Sequence, residues 1–217
     1  MPHVKIAKKS TDTDMTPFVD IAFLILSFFI MATKFKPEEP IKVETPGSVS
    51  SDILAEENSM LITIDPASKV FVTFSEPKSK TKEATTAVAT ALNQGRNLGL
   101  SPAEIESFRK APAFGLPFNT LKGFLALTPE QQAAFQQPGI PVLDTLNNEL
   151  IWWIDAAKKA FAGTKLLFLI KGDNNSKFPT FEAVINAMRK NEEFKYNLVT
   201  SQEGAPEGTE LYRIRSQ

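Results

Sequence analysis

From Pro17 the sequence reads PFVDIAFLILSFFIMAT as far as Thr33, seventeen residues in which Asp20 is the one ionisable side chain. Met15 and Phe35 extend the apolar character at either end. At about 1.5 Å per residue, such a run reaches the lower end of what crosses a hydrocarbon core of about 30 Å. It predicts a transmembrane helix over 15–35. A cleaved signal peptide competes with this reading, because Lys5, Lys8 and Lys9 precede the run. Signal segments seldom carry an acid, however, and the nearest small-residue cleavage pattern, Met31-Ala32-Thr33, is a poor one. A buried core helix is the third reading. The lysines do not orient the span, since Lys34, Lys36 and Lys42 follow it as closely as three precede it. Fourteen residues before the span and a long chain after it suggest a single pass with the N-terminus inside.

Asp20 is the costly residue. A carboxylate at mid-membrane costs about 2.5–3.5 kcal/mol on insertion scales, so it persists where it has a task or a partner. At 100° per residue Thr16, Asp20 and Ser27 fall within about 40° of one another, and Phe18, Ala22, Ile25 and Phe29 fall opposite. The polar stripe therefore suits protein or water, and the other side suits lipid or an apolar partner. A carboxyl group in apolar surroundings is held neutral and ionises on meeting a hydrated path, which is the chemistry of a proton carrier. The alternative is a hydrogen bond to a neighbouring helix. Thr16 and Ser27 are candidates for a proton path or for helix packing.

Composition removes other classes. Lys plus Arg is 24 and Asp plus Glu is 25, so the basic excess that neutralises phosphates is missing and no nucleic-acid partner is expected. With no Cys and one His, thiolate and imidazole metal cages and His-dependent nucleophilic chemistry lack their residues. A chain that is 42% hydrophobic has enough apolar residues for a folded core.

The run from Asp14 to Met31, DMTPFVDIAFLILSFFIM, resembles the signature of the ExbD/TolR family, in which a Thr-Pro pair is followed two residues on by an intramembrane Asp and an apolar helix. Thr-Pro suits a cap and first turn. The resemblance implies a non-enzymatic proton-motive-force transducer of the bacterial inner membrane, single-pass, with its N-terminus in the cytoplasm and its C-terminal domain in the periplasm. It assigns proton carriage to Asp20. No cofactor or metal is implied, and protons are the coupling ion. The implied partners are an ExbB-like polytopic membrane protein, a TonB-like periplasm-spanning protein, a second copy of the chain and membrane lipid. A TolR-like subunit of a Tol–Pal envelope machine and a passive peptidoglycan-binding anchor remain as alternatives.

Residues 36–58 (KPEEPIKVETPGSVSSDILAEEN) are rich in Pro, Ser and acids and read as an extended periplasmic linker. The resemblance suggests strand pairing with a partner here, with Ile41, Lys42 and Val43 as the candidate contact. Residues 60–65 and 70–74 form an apparent hairpin around a Pro- and Ser-containing turn. Residues 165–171 form a compact strand run, 180–190 a helix with Phe181, Val184, Ile185 and Met188 on one face, and 196–200 and 210–215 further strands. The fold class expected is α+β: one N-terminal transmembrane helix, the linker, and from residue 59 a small periplasmic α/β-sandwich domain carrying a helical insertion. The unit at 167–173 followed by the helix through 181–188 resembles the family's strand–Asp–helix unit. Asp173 itself reads as turn chemistry after Gly172, since no reactive partner accompanies it.

The interval 75–164 departs from the family pattern. Residues 78–82 read as a solvated basic loop, and 111–118 as an irregular apolar loop. Helices are predicted over 83–97, 101–110, 128–136 and 142–161. Ser101-Pro102-Ala103-Glu104 and Thr128-Pro129-Glu130-Gln131 have the capping-box form with Pro at the first helical position. The last helix shows a stripe of Leu143, Leu146, Leu150, Trp153, Ile154, Ala157 and Phe161. Trp152 projects off it, as a candidate partner contact or as packing within the insertion.

Overall fold

A computed structural model describes residues 15–32, 41–48, 57–76, 83–144 and 147–202. The chain divides into two compact units, Met1–Glu39 and Pro40–Gln217. The described part of the first is one helix, α1 (Thr16–Ala32). Among the described residues no helix is long and apolar enough to cross a membrane. For α1 the shortfall is length: seventeen residues rise about 26 Å against a core of about 30 Å.

In the second unit the predicted hairpin is β2 (Ser59–Ile64) and β3 (Val70–Ser75), antiparallel with Ile62 opposite Val72. Asp65 closes the turn: its side chain accepts the Lys69 N–H at 2.8 Å, and Ser68 takes the left-handed conformation at φ 63°. β4 (Leu167–Gly172) lies parallel to β2 on its other side, and β5 (Asn197–Leu198) lies parallel to β4. The sheet order is therefore β3-β2-β4-β5. β2 is central and almost wholly buried, as its apolar sequence requires. A separate parallel pair joins β1 (Gly47–Ser48) to β6 (Ser201–Gln202).

The interval between β3 and β4 folds as α2 (Glu83–Arg96), α3 (Pro102–Lys110), α4 (Phe118–Leu125), α5 (Pro129–Ala134) and α6 (Leu150–Ala160). α7 (Phe178–Lys190) connects β4 to β5. α2 buries Thr85, Val88, Ala89 and Leu92, the spacing of one helical face. The Glu76 carboxylate accepts the Ala84 and Thr85 N–H groups in its first turn. Both capping boxes form: Ser101 with Glu104 starts α3, and Thr128 with Gln131 starts α5.

Two expectations in this interval need correction. The helix expected over 142–161 begins at Leu150, because the Asn148 side-chain oxygen takes the Leu150 N–H at 3.1 Å while its amide donates to the Ala183 carbonyl on α7. A side chain that competes for the first-turn N–H ends the helix there. Leu143 consequently stands 65% exposed instead of continuing the stripe, and Leu146 lies outside the described residues. Second, α4 had no counterpart in the expected order. It follows directly on the irregular apolar loop and buries Phe118, Leu121, Phe124 and Leu125. The expected basic loop at 78–82, the strand at 210–215 and the linker residues 36–40 and 49–56 fall outside the described residues.

The interval is not a satellite. Its loop residue Phe114 pairs with Val72, exchanging two main-chain hydrogen bonds at 2.7 and 2.8 Å, and Ile140 donates to the Val70 carbonyl. The β3 edge is thereby covered, which removes one site of strand-to-strand aggregation. Gly115 permits the approach, since a Cβ there would stand 2.1 Å from the Phe71 ring. One core then runs from Met60, Ile62, Val72 and Ile170 through Val88, Phe108, Leu121, Trp153 and Met188. At its centre Trp153 is fully buried, with the rings of Phe74, Phe108, Phe114 and Phe118 at 5.4–6.3 Å. Aromatic pairs at such separations contribute beyond their buried area.

Candidate functional site

α1 carries Asp20 one turn inside its start, with Thr16 and Ser27 on the same stripe. The Ser27 hydroxyl donates to the Leu24 carbonyl at 2.9 Å, a bond within the helix. The large apolar side chains along α1 are all at least 52% exposed, from Ile25 at 52% to Met31 at 90%.

The other sequence-derived residues lie in the second unit. Ile41 and Val43 are half-buried and Lys42 is exposed, an alternation expected of an extended segment with one side against a surface. No strand pairing is formed at 41–43; the segment pairs a few residues later, with Gly47 opposite Ser201 and Ser48 opposite Gln202. Trp152 is 39% exposed and lies under the Arg96 guanidinium, 5.0 Å from the ring centroid. Arg96 also covers Phe118 at 5.5 Å, so these three side chains form one cation–π stack across α2, α4 and α6.

Two buried carboxylates complete the chemistry of this unit. Glu149, 8% exposed, accepts the Phe118 N–H at 2.8 Å and so bolts the start of α4 to the start of α6. Burial pushes its pKa above the ordinary 4.5, against the opposing pull of the Phe118 N–H and then of the Arg96 charge. Asp173, 4% exposed, uses one oxygen on the Asn175 N–H at 2.8 Å and the other on the Glu44 N–H at 2.7 Å. These donors, Asn175 first, hold its carboxyl below the ordinary 3.8. Sequence reasoning did not single out Glu149 or Arg96. The turn to Asn175 was readable from Gly-Asp, whereas the bond to Glu44 spans 129 residues.

Residues 7–113 match the family model described as biopolymer transport protein ExbD/TolR. Neither a curated protein nor a solved structure matches the chain. The matched stretch contains α1, the segment 41–48, the β2–β3 hairpin, α2 and α3, so it enters the interval that resembled an insertion, and it stops before the β4–α7 unit. The apolar helix with its Thr-Pro-x-x-Asp opening, followed by an α+β body, lies inside that match or continues from it, and the chain belongs to the ExbD/TolR family of non-enzymatic inner-membrane proteins of biopolymer transport.

Proposed function

We propose that this chain is the ExbD-type subunit of an inner-membrane proton-motive-force transducer, working with an ExbB-like polytopic partner to energise a TonB-like protein for outer-membrane nutrient transport. The observation that carries the reading is α1: an apolar helix, exposed along its length in the isolated chain, with Asp20 as its one ionisable residue. Burying each large apolar side chain is worth about 1.5–3 kcal/mol, so water is not the resting environment of such a helix. Lipid and partner helices are. α1 with its flanking residues spans the membrane, the N-terminus in the cytoplasm and the unit from Pro40 in the periplasm.

Two copies of α1 sit within the ExbB-like ring. Asp20 takes a proton from the periplasmic side, stays neutral while it faces apolar walls, and gives the proton up toward the cytoplasm. Each charge crossing the potential releases about 2.3 kcal/mol per 100 mV, enough for a few protons to bias a rotation or tilt of the pair. The linker passes that motion to the periplasmic body. Asp20→Asn keeps the size of the side chain and removes its titration. The variant is expected to insert and to co-purify with the ExbB-like partner while energised uptake falls to background. An Asn variant with full uptake overturns the carrier role, and restored envelope integrity without uptake assigns the TolR-like role instead.

A further inference from the structure

We infer that Asp173 is a clasp that holds the linker at Glu44 and so sets how far the periplasmic body can stand from α1. Asp173 directly follows β4, where its own N–H donates to the Ile64 carbonyl at 3.0 Å. Its side chain, fixed by that strand end, faces the linker. The Glu44 N–H donates to Asp173 Oδ2 at 2.7 Å, and the Glu44 carbonyl accepts the Asn174 N–H at 3.0 Å. One linker residue is thus held by both of its main-chain groups, against two consecutive residues of the body. Bonds to an ionised acceptor are roughly twice as strong as neutral ones, so the Asp173 bond is the stronger of the two.

The grip continues through Thr45 and Ser201. The Ser201 hydroxyl donates to the Thr45 carbonyl at 3.0 Å, so the Thr45 hydroxyl is the donor in the 2.6 Å contact between their oxygens. The Ser201 N–H donates to the Pro46 carbonyl at 3.0 Å, and the two-residue β1–β6 pair follows. All of these contacts are polar; those of Thr45 with Ser201 are exposed, the Asp173 bond is part-buried, and the apolar side chains of the held segment, Ile41 and Val43, are only half-buried, so opening costs little apolar burial. Such an element belongs to the low-stability end of a fold and opens without global unfolding.

The consequence for reach follows from chain length. Twelve residues separate Ala32 from Glu44 and twenty-seven separate it from Ser59. Fully extended, these span at most about 42 Å and about 95 Å. Opening the clasp together with the Thr45 and Pro46 contacts to Ser201 and the β1–β6 pair more than doubles the upper limit. This consequence rests on the proposed membrane placement of α1; the clasp itself does not.

Two variants of the full chain in nanodiscs test the inference. Asp173→Asn sets an amide donor against one of the two N–H groups, and Glu44→Pro deletes the linker donor at an exposed position while leaving the body untouched. The expected result is hydrogen exchange about tenfold faster across 44–48 in both variants, the counterpart of one lost charge-assisted bond, with β2 amides unchanged. The chain has no Cys, so spin labels at Met31→Cys and Lys195→Cys report the span directly, and their mean separation is expected to grow in both variants. If Asp173→Asn loosens the whole body, the Glu44→Pro result decides. Unchanged 44–48 exchange in that variant, or an unchanged label separation, overturns the inference. Neither readout needs energised transport, so an active Asp20→Asn protein refutes the proton-carrier reading and leaves the clasp standing.

Discussion

Glu149 and Asp173 are both buried carboxylates, and burial raises the pKa of each, yet the two shift in opposite directions. Asp173 has a main-chain N–H for each oxygen, and those donors outweigh desolvation. Glu149 has one N–H and a cation whose guanidinium is spent on two aromatic faces, and desolvation prevails. For an acid whose folded pKa is raised, folding favours the protonated form. The associated stability is therefore fully present below the ordinary 4.5 and is lost as pH rises through the elevated value. Glu149→Gln keeps an oxygen for the Phe118 N–H and removes the charge. Its melting temperature is expected to be at or above that of the parent at pH 8, the difference shrinking as the pH is lowered to 4.5. Parallel curves for the two proteins would show that burial of this charge has no net cost. Of these residues Asp20 was legible in the sequence, because one acid in a seventeen-residue apolar run is a local fact. Glu149 and the linker role of Asp173 were not, since each depends on a donor 31 or 129 positions away.

The same division between local and distant causes runs through the elements. The starts of α3 and α5 were readable to the residue because a capping box is complete within four positions. The start of α6 was not, because Asn148 is anchored to α7, which begins 30 residues later. α4 was hidden for a different reason: Gly123 interrupts its interior and Pro117 stands where a side-chain cap would be sought, so its Phe118, Leu121, Phe124 and Leu125 spacing carried the only signal. Equivalent caps differ in what they secure. Ser101 starts a helix that delivers Phe108 to the core, whereas the helix started by Thr128 buries none of its residues. Ser101→Ala is expected to lower global stability by about 1 kcal/mol in denaturant titration, and Thr128→Ala to change it by less than about half of that. Equal losses would mean that α5 is coupled to global unfolding despite its exposure.

At the scale of the molecule, the interval between β3 and β4, expected from the sequence to be an insertion but entered by the family match as far as residue 113, supplies much of the core in space. Its Phe108, Phe114 and Phe118 enclose Trp153, and the strands contribute Phe74 to the same stack. Its loop covers the β3 edge through Val72 and Val70. Removing it would bare Met60, Ile62 and Val72 together, so the strands have no folded state of their own to fall back on. The body should then unfold as one cooperative unit. Both tryptophans, Trp152 and Trp153, lie in α6, so their fluorescence reports the interval and the seat of Trp153 against Phe74. Amide exchange of β2 and β4 reports the sheet. In a denaturant titration of the full chain the two probes are expected to give coincident transitions, with residues 44–48 losing protection earlier as the clasp opens. A fluorescence transition that precedes loss of the β2 and β4 amides would divide the body in two and restore the interval to the status of an appendage.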